Sequence, residues 1–456
     1  MIERRERGFH SILVAQFFFV SLILLASSMA QTGQLSIQAD SGSGENAADA
    51  APLTLTLQDT LKRARSYTPQ FQAALTELGV AQQEKVQGRA GLLPSVNYTN
   101  QYLYTQGNGT PPGRFIANNA VHEYLSEANV HESISIANVA GYRRASAGAA
   151  LAKAKAEIAE RGLVVTVVQA YYGLLIGQRK YSTAQQAAGE SQRFADISQK
   201  LERGGEVAHS DVLKAQIQYQ QQQRDLQEAQ LAMERSRAEL AILLFPNFNQ
   251  NFTVVDDLQT PQSLPAFPEV QQMAGHNNPQ LGAALAALQQ ANHDVAAAWG
   301  GFLPSLTVDY FYGIDATHFA RRTDGVQNLG YAASATLEMP VWNWGANRAK
   351  LKQASLQQNQ ARVELSFAQR QLVGDLQTLY HEAQTSHAEL DSLKLSAEMA
   401  GESLRLTTLR YQAGESTVLE VVDAQNTFTQ ARNLYDDGQA RYRLAIANLQ
   451  TLTGNF

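Results

Sequence analysis

Glu420 and Asp423 are the residues whose type and spacing could do chemistry in this chain. Three positions apart in a run of helical pattern, they share one helix face, beside but off the position of Val421. Carboxylates so placed are either solvated surface acids or, where copies of the helix surround an opening, part of an acidic ring that selects and binds cations. Reaction chemistry has no comparable support. The nine His are scattered with no H-x-x-x-H spacing or carboxylate grouping, and there is no phosphate-cradling Gly loop and no G-x-S-x-G elbow. The absence of Cys removes disulfides, thiolate metal sites, a cysteine nucleophile and lipid attachment at an N-terminal Cys. Neither an enzyme nor a bound cofactor or metal is predicted.

The acidic pair sits at the start of a helical pattern with a seven-residue seam. Val421, Phe428, Tyr435, Tyr442 and Leu449 are spaced by seven, and Val212, Tyr219, Leu226, Met233 and Leu240 match them one for one at an offset of 209. Two longer helical patterns precede these seams, Gly141 to Leu201 and Gly345 to Leu409, with Leu151, Ile158, Val165 and Tyr172 in one and Leu365, Leu372 and Leu379 in the other. Sustained heptads mean helices supercoiled against neighbours. Helices of this length reach on the order of 90 to 100 Å. Between the arms lie two matching turns, about 203–211 and 412–418, with Gly205 opposite Gly414. Gly supplies the left-handed conformation that ends a helix, and Ser210 or Glu415 is expected near the next N-terminus.

The repeat extends to the whole chain. TPQFQAAL at Thr68 is echoed by NPQLGAAL at Asn278, and GLLPS at Gly91 by GFLPS at Gly301, both offset by 210. The expected organisation is a first unit over 53–255, a linker over 256–268 and a second unit over 269–456, each running helix, β-hairpin, long helix, tight turn, long helix. The hairpins are expected at about 92–138 and 302–342. Leu306, Val308, Tyr310 and Tyr312 alternate with Thr307, Asp309 and Phe311, and Leu329, Tyr331, Ala333, Ala335, Leu337 and Met339 alternate with polar residues. Each run is about ten residues, enough to span a bilayer as a tilted strand, although an ordinary hairpin on a soluble core alternates in the same way. GIDATHFARRTDGVQ between them reads as loop. The first hairpin's return strand is expected from about Tyr124 to Ile136, with Glu132 on the same face as Val130 and Ile134 and its register left open. Trp342 and Trp344 read as packing residues where strands meet helices.

Arg4, Arg5 and Arg7, the apolar run Ile12 to Leu25 and the small-x-small triplet Ser28-Met29-Ala30 make residues 1–30 a secretory signal peptide. Residues 31–52 are rich in Ser, Gly, Ala and Asp and read as a flexible segment. A net charge of -6 gives no reason to expect nucleic acid as a partner.

Four strands cannot form a closed barrel, and lipid leaves no unpaired backbone group satisfied. If the hairpins enter a membrane, subunits must pool their strands. The duplicated NPQL and GFLPS block, the return strand ending MPVWNWGANR, and the Y-x-A-G…L-E-V-V-D-A-Q turn from Tyr411 resemble the outer membrane efflux protein family, the TolC-like exit ducts of Gram-negative bacteria. The resemblance implies a mixed α and transmembrane β fold: a homotrimer with a shared 12-stranded barrel in outer membrane lipid, four strands per subunit, above a long periplasmic α-helical barrel. It also implies docking, through the turns at Gly205 and Gly414, to a periplasmic adaptor (membrane fusion) protein and an inner-membrane pump or ABC transporter, for efflux or type I secretion. Glu420 and Asp423 match positions lining the closed periplasmic entrance. Asp211 and Tyr411 match positions that tie neighbouring helical hairpins shut, although Ser416 stands where the family pattern has Arg. The competing reading is a periplasmic coiled-coil scaffold without a pore.

Overall fold

The computed structural model describes residues 53–104, 122–246, 251–260, 262–317, 319–323 and 325–454. The expected signal peptide, the segment 31–52 and the tip of the first hairpin lie outside the described residues. The described chain runs β1 (Leu53–Leu55), α1 (Leu57–Tyr67), α2 (Pro69–Ala90), β2 (Ser95–Tyr104), β3 (His122–Ile134), α3 (Ile136–Arg203) and α4 (His209–Leu244). It continues with β4 (Phe252–Val254), α5 (Phe267–Asn277), α6 (Pro279–Gly300), β5 (Ser305–Ala316), β6 (Arg322–Thr323), β7 (Val326–Gln327), β8 (Leu329–Glu338), α7 (Ala346–Gln412) and α8 (Val418–Thr453). No described helix is long and apolar enough to cross a membrane.

The hairpins join into one four-stranded antiparallel sheet in the order β2-β3-β5-β8. Val130 lies opposite both Val96 and Tyr310, and Tyr312 lies opposite both Ala128 and Tyr331, so one face carries Val, Leu, Ile, Ala and Tyr from all four strands. Tyr102 stacks near Tyr124 and Tyr310 on Tyr331 across the strands. Asn97, Thr99, Glu127, His131, Asp309 and Asp315 hold the other face, with His131 Nδ1 2.8 Å from Asp309 Oδ1. Glu132 lies on the apolar face opposite Val308, which settles its register. Two boundaries differ from expectation. β5 continues through GIDA to Ala316, because Ile314 keeps the alternation and Gly313 lets β3 approach where a Cβ would meet Glu127 and the Ser126 carbonyl. β3 stops at Ile134, because Ser135 caps α3 by accepting from the Asn138 amide, so Ile136 opens the helix.

α3 and α7, 68 and 67 residues long, span about 100 Å each. Near the sheet the helices lie side by side in the order α2, α3, α6, α7, and at the far end as α4, α3, α8, α7. α3 is covered on both flanks, while α2, α4 and α7 are edges. Every residue of the two expected seams, Val212 to Leu240 and Val421 to Leu449, is buried or half-buried. The edges instead expose large apolar side chains, among them Val80 and Val86 on α2, Ile217 on α4 and Phe367 and Met399 on α7.

The waist is held by polar side chains reaching from the long helices to the linker and to helix ends. β1 and β4 pair in parallel, and Tyr171 of α3 donates to the Val255 carbonyl at 2.6 Å. Arg443 donates to the carbonyls of Asp257 and Thr260. Arg161 bonds the carbonyls of Thr451 and Asn277 at the ends of α8 and α5, where a cation meets two helix C-termini. Arg179 bridges Asp256 in the linker at 2.6 Å to Asp436 in α8 at 2.8 Å and to Gln439. Asp436 is 2% exposed, and Arg179 is its ion-pair partner. Arg179→Met strands that carboxylate in the interior and is expected to cost about 3–5 kcal/mol, measured as a lower midpoint of thermal unfolding by circular dichroism. Adding Asp436→Leu to Arg179→Met is expected to recover most of the loss, because the stranded carboxylate is then gone.

Candidate functional site

The two helical hairpins end in the same backbone device. Gly205 and Gly414 take φ of 77° and 79°. In the first turn the Gly205 amide donates to the Glu202 carbonyl and the Glu206 amide to Leu201; in the second, Gly414 donates to Tyr411 and Glu415 to Arg410. This pair of bonds closes a helix on a left-handed residue, which only Gly adopts without strain. The next helices do not start on Ser210 or Glu415. Ala208 occupies the N-cap of α4 with no side-chain bond, and Thr417 caps α8 by accepting from the Glu420 amide.

That cap defines the surroundings of Glu420. One carboxylate oxygen accepts from Ser416 Oγ at 2.6 Å and the other from Thr417 Oγ1 at 3.2 Å. The Ser416 hydroxyl foremost, with Thr417 and the charge of Arg410 adding to it, holds the Glu420 carboxyl below the usual glutamate range although the side chain is exposed. Ser416 is thus the hydroxyl that fixes this acid. Asp423 lies one turn further on the same face, exposed, with no ion pair or hydrogen bond among the described residues. Val421 between them is fully buried, so the side of α8 that holds the coil and the side that carries charge are separated as the heptad requires.

Tyr411 and Asp211 are not brought together within the chain. Tyr411 is 3% exposed, packs on Phe194 with ring centroids 4.9 Å apart, and its hydroxyl is 3.0 Å from Ser198 Oγ in α3. Ser198 in turn donates to the Phe194 carbonyl. Asp211 pairs with Lys214 at 3.1 Å in its own helix. Ser198 gave no signal in the sequence, since a serine on a buried helix face becomes legible only when the aromatic opposite it is known. Tight approach continues above this tie: a Cβ at Gly401 would stand 3.1 Å from the Phe428 ring, and one at Gly438 2.6 Å from Leu393.

The family model for outer membrane efflux proteins matches this chain twice, over residues 60–244 and 270–455. The chain belongs to the outer membrane efflux protein family. It is 23% identical over 419 residues to the alkaline protease secretion protein AprF of Pseudomonas aeruginosa, covering 88% of this chain and 84% of that one. It is likewise 23% identical over 409 residues to the outer membrane protein TolC of Vibrio cholerae, with 87% and 90% covered. The solved structure of the Vibrio cholerae outer membrane protein VceC superposes with a TM-score of 0.76 at 18% identity, over 88% of this chain and 96% of that one. This efflux protein is an outer membrane exit duct of a Gram-negative bacterium, its helices forming a periplasmic extension. Members of the family are channels, not enzymes.

Glu420 stabilises the first turn of α8 only while ionised. A carboxyl whose folded pKa is depressed contributes above its unfolded pKa and loses that contribution as pH falls through its folded value. Amide protection at Val418 to Val421, corrected for intrinsic exchange, is therefore expected to fall as the pH drops through the carboxylate range. Glu420→Gln is expected to flatten that dependence while leaving protection in the middle of α7 unchanged, as measured by hydrogen exchange.

Proposed function

We propose that three copies of this chain close a 12-stranded barrel in the outer membrane, continue it as a periplasmic tube of coiled helices, and act as the passive exit duct of a tripartite efflux or type I secretion system. The observation that carries this reading is the sheet with one apolar face and two open edges, β2 and β8. In lipid those edges must find strands, and the strands of further copies supply them. The edge helices α2, α4 and α7, with their exposed apolar residues, continue the same two edges below the membrane.

At the periplasmic end Glu420 and Asp423 supply two carboxylates per copy, six in a threefold tube, as an acidic ring at the entrance. Tyr411 acts as a latch through Ser198, tying the end of α7 to α3 and so one helical hairpin to the other; Asp211 is left to meet a neighbouring copy. The exposed turns at Gly205 and Gly414 dock the periplasmic adaptor, which joins the duct to an inner-membrane pump or ABC transporter supplying the energy. In planar bilayers the purified oligomer is expected to give discrete cation-selective conductance, and Glu420→Gln with Asp423→Asn to lower both the cation preference and block by multivalent cations. Wild-type selectivity in the double variant would remove the pair from the entrance. A protein released from membranes by alkaline wash, with no conductance, would instead support the pore-free scaffold.

A further inference from the structure

All three tryptophans of the chain lie near one level, where the sheet meets the helices. Trp299 has a neighbour in Phe302. Trp342 and Trp344, among the described residues, meet each other's rings edge to face at 5.8 Å and are 75% and 89% exposed. Trp344 also has a φ of 56°, a left-handed conformation that bulky side chains rarely adopt, followed by Gly345 at 82°. A backbone held in this way, presenting a bare aromatic pair, calls for a surface outside the chain to cover it.

The topology says which surface. Four connections join strands to helices at this level, in the order of the strands: 91–94 before β2, Ser135 after β3, 301–304 before β5 and 339–345 after β8. The inner ones touch. A Cβ on Gly300 would stand 2.8 Å from the Ala137 amide, and Asn347 Nδ2 donates to the Gly301 carbonyl, pinning the 339–345 connection to its inner neighbour. The outermost two are left with free flanks: Leu93 at one end of the row, and Val341, Trp342 and Trp344 at the other, all exposed. Because 339–345 joins an edge strand to an edge helix, its free flank faces along the row and toward whatever closes the ring.

We infer that the Trp342–Trp344 pair is an inter-subunit contact, seated on the Leu92–Pro94 connection of a second copy of this chain. This rests on the reading of the duct as a closed ring of copies. It adds a partner for residues which that reading does not use, and it places the contact at the boundary between barrel and tube. The edge-to-edge strand bonds end at this level and the helix seams begin below it, so the aromatic pair covers the apolar gap between them.

The test uses the chain's lack of Cys and its few tryptophans. In a Trp299→Phe background, Leu93→Cys is labelled with a nitroxide, a short-range quencher, and the mass of the detergent-solubilised species is measured first. Within one chain β2 and β8 are separated by two strands, so the label lies far from its own Trp pair. In the oligomer, Trp emission is expected to fall severalfold relative to the unlabelled oligomer, and to recover when the copies are dissociated. An oligomer of full emission would overturn the inference and leave the duct standing; added quenching by brominated lipid or by acrylamide would then show whether the pair faces the bilayer or water. A species that is only monomeric would overturn the duct reading itself, and the inference with it.

Discussion

The outer edges of β2 and β8, which pair with no further strand among the described residues, are the constraint on which the rest of the structure depends. A sheet whose apolar face bears Val96, Tyr98, Val130, Val308, Tyr310, Tyr331 and Leu337 is suited to lipid, yet its two outer strands leave rows of N–H and C=O groups that lipid cannot satisfy. Each unsatisfied group in such a medium costs several kcal/mol, far more than the chain could offset by packing. Edge strands in soluble sheets are shielded by charge, proline or cover. Here the apolar face of the edge strands carries Val96, Tyr98, Tyr102, Tyr331, Ala333, Ala335 and Leu337, with Asn100 as a polar interruption.

The same asymmetry explains why the two repeats, alike in sequence, are unlike in environment. α3 and α7 are equivalent in position, length and terminal Gly, but α3 lies inside the row and α7 at its end. Val164, Val167, Val168, Tyr171 and Leu174 are buried on α3, whereas Val363, Phe367 and Val373 are exposed on α7. The waist makes the row rigid: Arg161, Arg179 and Arg443 each tie a long helix to the linker or to a helix end, and these long-range bonds fix how one helical hairpin stands against the other. Near the turns the two hairpins meet in an apolar cluster of Phe194, Ala195, Ala215, Tyr411, Val418 and Val421, to which the Ser198–Tyr411 bond and a 2.9 Å bond from Gln218 to Asn426 add.

Features that repeat along the chain were legible in the sequence. The heptads from Val212 and Val421 predicted the buried seams, the alternation from Leu306 and Leu329 predicted the second hairpin, and the offset glycines predicted both left-handed turns. The misses were contacts between distant residues or competition at a boundary. The bonds of Glu420 to Ser416 and Thr417 were not foreseen, because they depend on where α8 begins. Tyr411 was expected at a latch by resemblance, but that its hydroxyl meets Ser198 of α3 had no signal in the sequence. Ile136 continued the alternation of β3, but the Ser135 cap claims it for α3. Trp342 and Trp344 read as packing residues, whereas both are largely exposed and, among the described residues, the aromatic ring each meets is the other's. These features depend on which residue caps a helix or which side chain stands opposite, and periodicity encodes neither.

Closure of the sheet through its edges is tested most directly by cross-linking β2 of one copy to β8 of the next in this cysteine-free chain. Thr99→Cys in β2 can be combined in turn with Ala332→Cys, Ser334→Cys and Thr336→Cys in β8, so that the unknown register between copies is sampled. Within one chain the two strands are three strand spacings apart, about 14 Å, beyond the roughly 7 Å that a disulfide tolerates between Cα atoms. Any bond formed must therefore join copies. Oxidation in the membrane is predicted to give covalent dimers and trimers in at least one register, migrating as such in denaturing detergent. Monomers alone across the whole series would mean that the edges do not meet, and the closed barrel would be wrong.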